Sequence, residues 1–242
     1  MPCELPPDRA AAERAARSRT PFGLTAALRR GGINIIAEIK SASPSAGSIV
    51  DDPDVESIAA DYARGGAAAI SVVTEPEFFR GSRDWLRRAA TSGLPVLMKD
   101  FVIEESQLIR GVAAGASAIL LLASLLDAAQ IRAFIASLDS FGCDALVEVH
   151  DEAELAIAMS GGARIIGINN RNLRDFSVDL GASERLARQV PEGVLRVAES
   201  GIKTRADVDR LRAAGFDAFL VGESLLRQDD RAAAVRQLVL GV

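Results

Sequence analysis

Residues 33–47 read INIIAEIKSASPSAG, an apolar run that closes on Glu38 and Lys40 before breaking into a Ser/Pro/Gly loop. Side chains alternate across a strand with a period of two, so Glu38 and Lys40 share one face. Seven more short aliphatic runs follow at a loose repeat: AAAISVVTE (67–75), PVLMKDF (95–101), SAILLLA (117–123), DALVEV (144–149), RIIGINN (164–170), LRVAES (195–200) and DAFLVGE (217–223). Runs apolar on both faces suit parallel strands covered on both sides.

Between the runs lie amphipathic stretches such as DVESIAADYARGG and TRADVDRLRAAG, whose apolar residues recur at helical spacing. A glycine stands shortly before each strand, at 32, 66, 93, 115, 142, 162, 193 and 215, suited to end the preceding helix in a left-handed conformation. Eight strand–helix units in 242 residues predict an α/β fold of the (β/α)8 TIM barrel type. The alternative is a doubly wound open sheet. It usually has fewer strands and often a Gly-rich dinucleotide turn after the first, and no GxGxxG motif occurs here. No linker divides the chain, so residues 1–242 are expected to form one domain. In it, PPDRAAAERAARSR and PFGLTAALRRGG (within 1–32) form a short N-terminal helical extension that closes the barrel bottom or shields one side.

Composition narrows the function. The chain is 49% hydrophobic and 25% charged, with aromatic residues at only 5%, which is the make-up of a soluble protein with an aliphatic core. A net charge of −5 with scattered Lys and Arg argues against nucleic acid or a membrane surface as the main partner. Cys3 and Cys143 lack metal-ligand spacing, and the single histidine, His150, excludes a His-rich metal site. The charged N-terminus has no apolar signal core, and no run is long enough to span a membrane, so a cytoplasmic location is expected.

The polar residues gather at strand C-termini: Glu38 and Lys40, Glu75, Lys99 and Asp100, Glu148, Asn169, Asn170 and Arg171, Glu199 and Ser200, then Gly222, Glu223 and Ser224. That face of a barrel carries the active site. An unpaired buried charge costs several kcal/mol, so Glu38, Lys40, Lys99, Glu148 and Glu199 are expected as a mutually compensating cluster inside the barrel mouth. The small residues of ESG (199–201) and VGES (221–224) lie after the last two strands, where such barrels hold phosphate on backbone N–H groups; Ser43 adds a hydroxyl. These features predict an enzyme for a small phosphorylated substrate, working by acid–base chemistry without metal or organic cofactor.

The successive signatures IIAEIKSASPSAG, VLMKDF, LVEVHDEAEL, IGINNRNL, VAESGI and FLVGESLLR resemble those of the indole-3-glycerol phosphate synthase family, in order and across all eight strands. The resemblance implies a lyase of tryptophan biosynthesis. It closes 1-(2-carboxyphenylamino)-1-deoxyribulose 5-phosphate into an indole, with loss of CO2 and water. It implies that Lys99 is the general acid for ring closure and that Glu148, Glu38 and Lys40 complete the acid–base set. Asn169, Glu199, Arg171 and Ser200 match positions that contact substrate. Phe79, Phe101 and Leu120 match the slot for the anthranilate ring, and Ser43, Gly201, Gly222 and Glu223 match the phosphate site. Two departures stand out: Ala46 replaces a Lys common in the family, and the helical extension is shorter than usual.

Two rival readings fit the residues less well. Phosphoribosylanthranilate isomerase, a barrel of the same architecture, would need a Cys/Asp pair at the ends of strands one and four, where this chain has Glu/Lys and Leu/Ala. A non-enzymatic barrel kept as an assembly partner would have no use for so costly a charged set. Contact with other tryptophan-pathway enzymes and a monomeric or weakly oligomeric state are the remaining expectations.

Overall fold

The computed structural model describes residues 8–44, 47–171, 177 and 179–241. Ala46 and Cys3 lie outside the described residues. The N-terminal part forms α1 (Arg9–Arg17) and α2 (Gly23–Leu28). The first barrel strand is β1 (Asn34–Ile39); the loop after it pairs β2 (Ala42–Ser43) with β3 (Gly47–Ser48) as a small hairpin. The chain continues through α3 (Val55–Gly65), β4 (Ala69–Val73), α4 (Asp84–Ala90), β5 (Val96–Lys99), α5 (Glu105–Ala113), β6 (Ala118–Leu122) and α6 (Ala128–Asp139). It ends with β7 (Asp144–Val149), α7 (Glu152–Ser160), β8 (Ile165–Asn169), α8 (Leu180–Ala187), β9 (Leu195–Glu199), α9 (Arg205–Ala213), β10 (Ala218–Val221), α10 (Glu223–Leu226) and α11 (Arg231–Leu240).

Strands β1 and β4 to β10 close into a parallel barrel in the order β1-β10-β9-β8-β7-β6-β5-β4, so the expected (β/α)8 barrel is found. Each predicted strand lies within two residues of an observed one. The eight glycines ahead of the strands all take positive φ, from 59° at Gly142 to 107° at Gly115. That conformation is nearly free for glycine and strained for other residues.

Two apolar clusters follow from the alternation of the strands. One packs the outer strand faces against the helices and includes Ile35, Ile70, Met98, Ile119, Val147 and Ile166. The other fills the barrel and includes Ile36, Leu97, Leu146, Val197 and Leu220. Leu24 and Leu28 of α2 join the inner cluster, so α2 plugs the barrel bottom, while Thr25 donates its N–H and hydroxyl to the carboxylate of Asp144 at 3.0 and 2.6 Å. Helix α1 packs on α5 instead, with Ala12 buried in the outer cluster. The extension therefore both closes the bottom and covers one side.

The inner cluster positions the site. Two residues beyond Ile36, Leu97, Leu146, Val197 and Leu220, on the same inward face, come Glu38, Lys99, Glu148, Glu199 and Gly222. The barrel interior thus changes from aliphatic to charged within one step along four strands, and to a glycine on the fifth.

Candidate active site

A cavity of about 850 Å³ opens at the C-terminal ends of the strands, and every site residue named from the sequence lines it. The charged cluster is paired as anticipated. Lys40 Nζ lies 2.6 Å from Glu38 Oε1. Lys99 Nζ lies 3.2 Å from Glu148 Oε2 and 3.4 Å from Glu199 Oε2. Glu38, Glu148 and Glu199 are all buried.

The three carboxyls differ in what surrounds them. Burial pushes the Glu148 carboxyl up, but Lys99, His150 and the amide of Asn169 outweigh it and hold it well below the usual range. Asn169 Nδ2 donates to Glu148 Oε1 at 2.9 Å, and the Asn169 amide oxygen accepts the Arg171 N–H at 3.0 Å. Glu38 is likewise held below the usual range, the pull of Lys40 and Lys99 overcoming burial. Glu199 goes the other way. Burial and the like charge of Glu148 raise its carboxyl to about 8 against the pull of Lys99. Neither oxygen of Glu199 has a hydrogen-bond partner; its 3.4 Å contact with Lys99 is an ion pair without hydrogen-bond alignment. Burial alone would lower Lys99, but Glu148, Glu199 and Glu38 together raise it far above its ordinary value. It is an ammonium at any working pH.

Two glycines make this crowding possible. A Cβ at Gly167 would collide with Glu199 Oε1 and lie 2.6 Å from Leu146 Cδ2. A Cβ at Gly222 would stand 2.6 Å from Glu38 Oε1 and 3.2 Å from Lys40 Nζ. At the far side of the cavity, Ser200 (φ 67°) and Gly201 (φ 78°) both take the left-handed conformation. For a non-glycine residue that costs on the order of 1–3 kcal/mol. Asn170 holds the turn from the neighbouring strand end, its Nδ2 donating to the carbonyls of Glu199 at 2.7 Å and Ser200 at 2.9 Å. The Glu223 carboxylate accepts Arg227 Nε at 3.0 Å. On the apolar side the rings of Phe79 and Phe101 stand 6.3 Å apart at 57°, and Leu120 forms the floor.

The family model described as indole-3-glycerol phosphate synthase matches residues 6–238. The chain belongs to the indole-3-glycerol phosphate synthase family. A synthase of that name from Chlorobaculum tepidum is 50% identical over 203 residues, covering 84% of this chain and 79% of the relative. One from Lactiplantibacillus plantarum is 46% identical over 232 residues, covering 95% and 89%. Among solved structures, KGPDC from Streptococcus mutans superposes with a TM-score of 0.65 at 8% identity, over 86% of this chain and 95% of that one, a likeness of fold alone.

Three features in and beside this family member's cavity have roles that the sequence reading did not assign. Lys203 and Arg227 add cations to the side lined by Ser200, Gly201 and Gly222. They sit in a loop and at a helix end, where no periodicity marks an inward position. His150 faces Glu148 and is taken up below. The third is Glu75. Its carboxylate accepts the backbone N–H groups of Glu77, Phe78 and Phe79 at 2.9, 2.7 and 3.0 Å. The hairpin loop after β1 is tied to the same turn, Ala42 N–H donating to Phe79 C=O at 3.2 Å. Glu75 thus sets where Phe79 enters the slot. Glu75→Ala is expected to cost about 2–3 kcal/mol in urea unfolding, through three N–H groups losing a charged acceptor. It should also raise KM about tenfold, equal to about 1.4 kcal/mol. An unchanged KM would show that the turn does not position the slot.

Proposed function

We infer that this chain catalyses the synthase reaction, the decarboxylating and dehydrating closure of 1-(2-carboxyphenylamino)-1-deoxyribulose 5-phosphate to indole-3-glycerol phosphate. Membership of the family supports the reaction. The observation that carries the assignment of roles is the placement of Lys99 between two buried carboxyls pushed in opposite directions. Such a divergence separates an acid from a base in one site.

The ring carbon that bears the substrate carboxylate attacks the ketone carbon. Charge builds on the ketone oxygen, and Lys99, the one ammonium ringed by carboxylates at the cavity centre, stabilises it and passes it a proton. The substrate carboxylate then leaves as CO2, and the electron pair of the broken C–C bond restores the aromatic ring. The new hydroxyl must next leave as water while a proton is taken from nitrogen or carbon. Glu199, protonated in much of the population near neutral pH, is the acid for the hydroxyl; Glu148, held ionised, is the base. Glu38 and Lys40 complete the set, keeping the mouth near electroneutrality as a substrate bearing a carboxylate and a phosphate enters.

Phe79, Phe101 and Leu120 take the anthranilate ring, and Arg171 faces the substrate carboxylate. Backbone N–H groups at Gly201, Gly222 and Glu223, with Ser43 and Ser200, receive the phosphate. A cytoplasmic location belongs to the same proposal, because substrate and product are intermediates of amino-acid biosynthesis.

The test is turnover of the purified chain on this substrate with no added metal or cofactor, followed by indole absorbance. Absence of turnover from a protein with a cooperative unfolding transition would overturn the assignment.

A further inference from the structure

His150 follows β7 and lies two residues beyond Glu148, on the same inward face. Its Nδ1 stands 2.9 Å from Glu154 Oε2, and its backbone N–H donates to that same oxygen at 2.8 Å. Its Nε2 lies 3.3 Å from Glu148 Oε1, an ion-pair contact without hydrogen-bond alignment, on the oxygen that accepts from Asn169. Asp151 caps α7 by accepting the Glu154 N–H at 2.9 Å, which fixes Glu154 in place. A neutral imidazole has one donor and one acceptor nitrogen, whereas a carboxylate only accepts. With a carboxylate oxygen within 3.3 Å of each nitrogen, the ring is favoured in its doubly protonated, cationic form.

The charged groups facing it are Glu148 on its own strand and Glu154 on α7, with Lys99 of β5 and Glu199 of β9 beyond Glu148. Two carboxyls that share one ammonium have no built-in order of titration; something else must decide which keeps the proton. Glu148 has Asn169 and His150 on one oxygen and Lys99 on the other. Glu199 has Lys99 as its one adjacent cation and no other donor on either oxygen, and its proton, when present, is shared toward Glu148.

We propose that His150 is a positioning residue for the synthase reaction, breaking the equivalence of Glu148 and Glu199 so that Glu148 is the base and Glu199 holds the proton. Its other nitrogen is anchored by Glu154, so the ring holds its charge against Glu148 Oε1, which Asn169 fixes in direction, while Oε2 stays toward Lys99. Burial opposes the imidazolium, but the two carboxylates outweigh it and raise His150 to about 10, in keeping with this geometry. The inference rests on Glu148 belonging to the acid–base set.

The chain has a single histidine, so its imidazole NMR signals need no assignment. Titrated in the full chain, they are expected to stay in the protonated position through pH 8. Glu148→Gln and Glu154→Gln should each move the transition back toward the ordinary value near about 6.5. In kinetics, His150→Ala should lower kcat about 10- to 100-fold with KM within about twofold, the scale of a misdirected catalytic group. The acid limb of its kcat–pH profile should move to higher pH, because Glu148 loses a cation. A transition near 6.5 in the parent, unmoved by either Gln variant, would overturn the proposal. So would a His150→Ala enzyme with unchanged kcat and pH profile. The titration needs no turnover, so it decides on His150 even if His150→Ala does not fold or the reaction assignment fails; full activity in Glu148→Gln would count against that assignment alone.

Discussion

Lys99→Ala is expected to lower kcat by about 10³-fold or more, the scale of losing the principal donor to a developing oxyanion. The protein should remain folded. Lys99 is the group shared by Glu148 and Glu199, and its charge also depresses Glu38. Without it, three buried carboxyls face one another with Lys40 and His150 as the nearest compensation. Removing one partner of a buried pair typically costs about 3–5 kcal/mol, to be set against a usual domain stability of about 5–15 kcal/mol.

The pH dependence of that loss identifies its origin. Lys99 has a raised value in the folded state, so its contribution is complete below its unfolded value and is present throughout the neutral range. Glu38 and Glu148 have depressed values; the stability they confer is present above their ordinary value and lost as pH falls through the folded one. Both owe much of that depression to Lys99. The variant should therefore trail the parent most at pH 7, with the gap narrowing as pH falls below about 4.5 toward the depressed folded values. Urea unfolding at pH 7 and at about pH 4 makes the comparison. An equal loss at both would point to a packing defect at Lys99, and a kcat within tenfold of the parent would remove it from the first chemical step.

The barrel was legible because its punctuation is physical. Gly66, Gly115 and Gly215 each mark a helix that must stop in a left-handed residue before an aliphatic strand, and all three do. The centre of the site was legible for a related reason. Glu38 and Lys40 at a spacing of two inside an apolar run mean a shared inward face, and the two are bonded at 2.6 Å. Applied to EVH at 148–150, the same rule puts His150 beside Glu148, with Glu154 one helical turn onward; that part was readable and was passed over.

Other contacts left no local trace. The room Gly167 makes for Glu199 depends on the β8–β9 register, Asn169 opposite Glu199, which crosses 30 residues of chain. The three N–H groups gathered by Glu75 belong to a turn that Ala42 N–H ties to the hairpin after β1, a contact that crosses 37 residues of chain. A carboxyl raised toward neutrality is likewise invisible in a string of letters. It comes from burial and from the like charge of Glu148 two strands away, neither of which leaves a local motif.

Glu199→Gln should separate function from stability more clearly than any other change in this cavity. Glu199 is raised from its ordinary value to about 8, so its protonated form is favoured in the folded state. By linkage, the parent is most stable where Glu199 is protonated in both states, below about pH 4.5, and this contribution is lost as pH rises through about 8. Glutamine is neutral throughout and nearly the same size. The variant should accordingly be more stable than the parent at pH 8, on the order of 1–3 kcal/mol after allowance for coupling to Glu148. That advantage should close below about pH 5. Turnover should fall about 10²-fold or more, because an amide has no proton to give the leaving hydroxyl. Thermal unfolding at pH 5 and pH 8, beside kcat at pH 7.5, reads both effects. A variant less stable at pH 8 would mean that Lys99 already holds Glu199 as a settled anion, and the dehydration acid would then have to be sought in Lys40 or Lys99. A variant stabilised yet inactive would show a buried carboxyl kept, against the stability of the fold, for the proton it carries.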